Sequence, residues 1–445
     1  MRQRQLSHGV PLWLTGTCTA LHFLVDGLCI CCIYLLADSS NIANLLGVFI
    51  TYNIFAFLTQ PLTGMLADRL RPAEMLLAAA VALLAFGVAI ASLSGQTNSL
   101  PILYAVAVLL GLGNSLFHVW GGRQVTVTTG NDMRALGIFV SSGAFGLAVG
   151  MLFRSWTVLY CFLLAIAALS LGILRLIPQK SHSLTPPPHR SHIISPRLVW
   201  GAVLLLMAVV MVRSLLGETF TAGLAKGGMM VLVIGAIAML GKIAGGFLSH
   251  WIGIVWAMLL VVAGIIVCML WQKGEIVSLL GLLLVNCTMA VTLYLVNVLM
   301  PGREGLAFGL LAAALMPGYL LAQSDAGGMM VEPLLMTLVP TIVIELIVLW
   351  ALRERRAEVL GSSVVVNILT NVPLHLFVVF VSDQLPAVII GEVLVVLIEM
   401  LWYRYFVDSW RKAFIYSFLC NGFSLLAGLL LQCTILLLLI LNPNT

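Results

Sequence analysis

Charge is what this sequence has least of. Of its 445 residues only 17 are acidic and 22 basic, 9% in all, against roughly a quarter in an ordinary soluble domain. That supply cannot cover a water-facing surface, so a soluble globular fold is excluded. Polar interruptions are scarce as well: 61% of the chain is hydrophobic, and apolar runs close to the roughly 20 residues a helix needs to cross a bilayer recur along its whole length. Lipid offers the backbone no hydrogen bonds, so each crossing must be a helix or part of a closed barrel, and runs this long and unbroken are helices. The fold class is an all-α polytopic membrane protein.

Several kinds of chemistry are missing too. Cys29 and Cys32 stand at CxxC spacing, but no histidine cluster at metal-ligand spacing accompanies them, and all nine cysteines, Cys29, Cys31 and Cys32 among them, fall inside apolar segments. They read as small buried hydrophobes, with neither metal nor disulfide expected. There is no nucleophile beside a base and no phosphate loop, because the glycine-rich stretches lie within apolar helices. Neither an enzyme nor a bound cofactor is expected. The formal charge of +5 sits between the apolar runs, which implies a membrane surface and not nucleic acid. Met1 to Gly9 is a short basic start leading into a long span, so no cleavable leader is expected.

What is present is a regular series of spans, expected near 11–36, 42–66, 73–94, 100–122, 135–153, 156–177, 198–217, 229–249, 254–271, 276–300, 304–323 and 333–352, then 360–381, 386–403 and 413–441. With the N-terminus in the cytoplasm, Arg69, Arg71, Arg134, Arg303, Arg353 and most other basic residues fall on the cytoplasmic side, and only Arg154, Lys226 and Lys273 lie near outer ends. A bacterial cytoplasmic membrane is the expected location. Pro178 to Pro196, with three consecutive prolines and several histidines and serines, reads as a cytoplasmic linker. The expected units are therefore an N-terminal six-helix bundle (1–177), the linker (178–197), a second six-helix bundle (198–352) and an additional set of three helices (353–445).

An internal repeat supports that division. Gly64-Met65-Leu66-Ala67-Asp68-Arg69 closes the second span, and Gly246 to Gly253, with His250 in place of an acid, closes the eighth. The first of these resembles the loop signature of the major facilitator superfamily, in which an acid and a following basic residue clamp neighbouring helices in one conformational state. Arg71 and Pro72 depart from the family pattern, as does His250. Gly111 to His118 with Arg123, and Met211-Val212-Arg213-Ser214, are similar to the branch containing the fosmidomycin resistance protein, an antibiotic exporter. The resemblance implies a twelve-helix fold of two six-helix halves and an alternating-access carrier of a small molecule. It covers the first 352 residues; the last three helices resemble an extension seen on bacterial members.

Ionisable groups within spans are costly, which makes each a functional candidate. Asp26, with His22 one turn before it, is midway along the first span, and Arg213 is in the seventh. The fold the resemblance implies puts both on one central cavity, where Asp26 is expected to meet Arg213, as a proton-exchanging device or as a permanent structural pair. His118, with Asn114 one turn earlier, is either a substrate or proton ligand or a neutral histidine bonded to a backbone. Tyr52, Asn53 and Gln60 add polar groups, and Lys242 is expected to snorkel to the cytoplasmic surface more than to touch substrate. Gly137, Gly143, Gly146 and Gly150 read as close-packing positions, and Pro317-Gly318 as a bend. Glu345 is expected to be buried against protein, with the extension as one source of partners.

In the extension each helix carries one polar stripe: Asn367 and Asn371, Glu392 and Glu399, then Ser417, Asn421 and Ser424. Depth places Glu399 near Asn367 and Asn421, and Glu392 near Asn371 and Ser424, as a hydrogen-bonded seam or as an ion path. The leading expectation is a proton-coupled secondary transporter with export favoured. The second is a sensor or assembly factor on a carrier-like fold.

Overall fold

A computed structural model describes residues 12–36, 42–70, 72–94, 99–176, 196–224, 228–271 and 274–323, and most of 344–354, 384–407 and 409–424 with a few positions between them. Residues 178–195 of the expected linker, Arg71 and Asn371 lie outside the described residues, while Pro196 and Arg197 already open the helix Pro196–Ala222. Two compact units are formed, 1–323 and 324–445.

Among the described residues eleven helices are long and apolar enough to cross a membrane, all in the first unit. They match the first eleven expected spans: Leu12–Leu36, Leu45–Arg69, Glu74–Ser94, Leu100–Thr129, Met133–Leu152, Trp156–Leu176, Val199–Ala222, Met229–Ile252, Ile254–Trp271, Glu275–Leu299 and Glu304–Gln323. The fourth runs to Thr129, well past the expected end at 122. Gly121 and Gly122 do not stop it because each lies against an aromatic ring, of Phe139 and Phe308 respectively, where a side chain would clash. It ends instead at Gly130, whose φ of +65° is the left-handed geometry that favours glycine after a helix. Asp132 then caps the fifth span, accepting the Arg134 backbone N–H at 2.8 Å. Burial opposes its charge, but the Arg134 side chain and N–H hold the Asp132 carboxyl below the usual range.

Two spans are broken. The second contains a π-helical turn, Ile54–Leu58, just before Pro61, which has no N–H to give the carbonyl of Phe57. The eleventh divides at Ala314 into Glu304–Ala313 and Leu315–Gln323, three residues before Pro317. There the Ser214 hydroxyl of the seventh span donates to the Leu315 carbonyl at 2.9 Å, supplying from a neighbour what a bent helix loses internally.

Small residues set how close the spans lie. A Cβ at Gly146 or Gly150 would strike the backbone of the first span, at Phe23 or Gly27, and one at Gly137 would lie 2.8 Å from the Lys242 carbonyl of the eighth. These are the close-packing positions expected of the fifth span.

In the second unit, helix 344–351 ends at Arg353 with φ +64°, and the helices Gln384–Phe406 and 410–424 follow. Ser363 donates to Glu345 at 3.1 Å and Asn367 donates to the same carboxylate. Glu399 accepts from Asn421 and, at 3.2 Å, from Thr370. The seam thus has two carboxylate centres, with Asn367 reaching Glu345, where the sequence had placed it beside Glu399. Glu392 is half-buried and Ser424 donates to the Cys420 carbonyl of its own helix. Outside the spans, Glu354 accepts the Arg356 guanidinium and N–H and the Tyr416 hydroxyl, which hold its carboxyl down at about 2.

Candidate functional site

The first, second, fourth and fifth spans place four polar side chains together inside the first unit. His22, Asp26, Asn114 and His118 are all buried, and they are neighbours because each pair on one helix is four residues apart and so shares a face. Asn114 donates to Asp26 Oδ1 at 2.8 Å and to the Tyr52 hydroxyl at 3.0 Å. His22 Nε2 lies 3.3 Å from Asp26 Oδ2, and His118 Nε2 lies 3.6 Å from Oδ1. Gly143 of the fifth span completes the wall, since a Cβ there would overlap both the Asp26 carboxylate and the His22 ring.

The two imidazoles have fixed tautomers. His22 Nδ1 is 2.7 Å from the Phe139 carbonyl and His118 Nδ1 is 2.9 Å from the Asn114 carbonyl. A carbonyl only accepts, so both Nδ1 atoms carry hydrogen. When both rings are neutral their Nε2 lone pairs then face each other, and those nitrogens are 2.8 Å apart. Lone pairs cannot rest at that distance, whereas one proton between them makes a normal N–H···N hydrogen bond beside the Asp26 carboxylate. His22, Asp26 and His118 also have ligand atoms within 4.8 Å of one another, a set that could take a metal ion. Two nitrogens on a tetrahedral metal at about 2.1 Å stand about 3.4 Å apart, so the observed gap fits a proton as it is and a metal only after widening.

The expected meeting of Asp26 with Arg213 is not formed. Asp26 is taken up by its own half, and Arg213 Nη1 points at the Met289 sulfur of the tenth span. The reason is rotation about the helix axis, which depth along a sequence does not supply. Lys242, expected at a surface, is half-buried, and Arg213 and Asp26 are the charges that act on it. Of the remaining candidates, Asn53 is buried and donates to the Phe49 carbonyl of its own helix, while Tyr52 joins the site through Asn114.

The repeated motif forms a second locus at one end of the first unit. Asp68 accepts the backbone N–H groups of Gly305 and Leu306 at 2.8 and 2.9 Å, at the N-terminus of the eleventh span, where the helix dipole favours an anion. Its cation is Arg123 of the fourth span, at 3.3 Å; Arg69, the partner expected from the motif, is exposed. Gly64 lies under Gly305, and a Cβ on either would strike the other's backbone. In the second copy Gly246 packs on the Met133 carbonyl, His250 is near Asp132, and Gly253, at φ +85°, ends the helix. Asn297 adds a tie to Thr126 and Asn131 at 3.3 and 3.1 Å. Second span meets eleventh and fifth meets eighth, so the first six spans are closed on the seventh to eleventh at this end.

The family model for the Major Facilitator Superfamily matches residues 18–322. The chain belongs to the Major Facilitator Superfamily. Among solved structures it is similar to the Escherichia coli fucose:proton symporter FucP, with TM-score 0.52 and 12% identity over 72% of this chain and 92% of that one. It is also similar to a bacterial homologue of the iron transporter ferroportin in an outward-facing state, with TM-score 0.49 and 14% identity over 71% of this chain and 92% of that one. Among curated proteins no sequence matches. At 12% identity the likeness to FucP shows the fold alone; it is membership of the superfamily that makes the chain a multi-pass secondary transporter.

Proposed function

We propose that this superfamily member is a proton-linked carrier of a small organic solute, in which His22, His118 and Asp26 hold the coupling proton. The observation that carries this reading is the pair of facing Nε2 atoms 2.8 Å apart with both Nδ1 positions committed to carbonyls. The site lacks a proton for its geometry and gains one at no cost in net charge, because an imidazolium beside Asp26 sums to zero. Asp26, His118 and Arg213 keep 8%, 7% and 7% of their surface accessible, the route by which the site would exchange its proton with water. Tyr52 of the second span and Lys242 of the eighth face the site from other elements, and Cys29 from the first span itself.

Alternating access follows from the two loci. With the Asp68 end closed, the proton site is served from the opposite end; parting Asp68 from the Gly305 and Leu306 N–H groups opens the other route. Basic residues between spans favour placing the Asp68 end in the cytoplasm of a bacterial cell, and resemblance to the fosmidomycin resistance protein favours export.

Asp26→Asn tests the reading. In proteoliposomes loaded with a pH dye and challenged with a panel of small organic solutes, the wild type moves protons with its solute, and the variant, folded by the same thermal criterion, does not. Equal proton movement in both removes Asp26 from the mechanism.

A further inference from the structure

Arg213 is the most expensive group in the first unit for which the proton site has no use. Its guanidinium offers five N–H donors, it is 7% exposed, and its hydrogen bond is to a thioether, the weak acceptor Met289. Among the described residues no carboxylate lies within ion-pair distance of it. Glu218, the next acid along its own helix, accepts from Gln323 at 3.3 Å. Lys242, on the adjacent eighth span, adds a second cation whose charged neighbours are Arg213, which repels it, and Asp26, which His22, His118 and Asn114 already engage.

A guanidinium this buried in an apolar protein without an anion of its own is strongly unfavourable, and such an arrangement persists where a ligand supplies the missing charge, a demand that the half-buried Lys242 increases. Counting Arg213, Lys242 and Asp26, the crevice carries one net positive charge with the histidine pair neutral, and two when that pair holds its proton. We propose that Arg213 and Lys242 form an anion-binding subsite, and that the carried solute is a small organic anion. This rests on the carrier reading above and gives it a substrate class. A guanidinium matches the two oxygens of a carboxylate or phosphonate, with the ammonium as a point charge beside it. Proton and anion then assist each other: each lowers the cost of the other's charge, so anion affinity rises as pH falls toward protonation of the histidine pair.

The test uses the full chain, purified in detergent, and its thermal unfolding. The ligands are inorganic phosphate and a series of alkyl and aryl carboxylates, each offered beside its own primary amide and primary amine. The expected result is stabilisation by members of the anionic set only, with affinity falling about ten-fold or more in Arg213→Gln and in Lys242→Gln. The charge-keeping Arg213→Lys and Lys242→Arg fold and retain part of the binding, which separates loss of charge from loss of fold. Stabilisation by amides or amines to the same degree, by no anion at all, or equally in the neutral variants overturns the proposal. Anion binding that persists in the wild type without any linked proton uptake leaves the subsite standing and removes the proton-linked reading; proton-coupled movement of a neutral solute does the reverse.

Discussion

At the scale of single residues, the site is built by acceptors that cannot donate. The Phe139 and Asn114 carbonyls commit both Nδ1 atoms, and this leaves the two Nε2 atoms facing each other, the geometry on which the proposed proton site rests. Asn114 does the complementary work of fixing Asp26 by donating to it. Gly143 supplies room, and a methyl group there would overlap the Asp26 carboxylate and the His22 ring. Gly143→Ala should therefore lower proton-coupled flux by ten-fold or more, while Gly172→Ala, at a position with open space around it, should leave flux and thermal stability unchanged. Equal flux in the two variants, measured in the same proteoliposomes, would show that the geometry at Gly143 does not matter. Asp26, His22, Asn114 and His118 were legible in the sequence because polar groups one turn apart in an apolar run have few structural explanations. Their partners were not. Spacing along a helix gives depth and relative face but not which neighbour that face meets, so Asp26 was assigned to Arg213 and Lys242 to a surface.

At the scale of elements, the spans were readable nearly residue by residue where apolar length sets them, as in Glu74–Ser94 and Ile254–Trp271. Features created by neighbours were not, including the π turn before Pro61, the extension of the fourth span past Gly121 and Gly122, and the choice of Arg123 over Arg69 as partner to Asp68. The contact between Asp68 and the first N–H groups of the eleventh span is the element-level device that keeps one end shut. Asparagine there keeps one acceptor oxygen but loses the charge that the helix dipole and Arg123 favour, a loss of about 1–2 kcal/mol. Asp68→Asn should accordingly shift the balance between closed and parted ends by about 5- to 30-fold toward parted. Spin labels in place of Arg69 and Arg303 read this directly: the variant should gain a longer distance component, and an unchanged distribution would show that the clamp does not set the conformational balance.

At the scale of the whole molecule, the repeat of Gly64–Arg69 in Gly246–Gly253 reappears as two matched seams, second span on eleventh and eighth on fifth. The acid has moved from the motif helix in one seam to its partner, Asp132, in the other. Between the seams the first six spans hold His22, Asp26 and His118 and the later ones hold Arg213 and Lys242, the division on which the proposed proton and anion sites rest. In the second unit Glu345 and Glu399 each accept from an asparagine of their own, while Glu345 Oε1 stays buried without a hydrogen bond. The central claim is that the histidine pair and Asp26 exchange a proton with one side of the membrane, and it can be tested without knowing the solute. On a solid-supported membrane carrying the full chain, a rapid pH step should produce a transient charge displacement in the wild type, and none in Asp26→Asn or His118→Gln. A displacement of equal size in all three proteins would contradict the account.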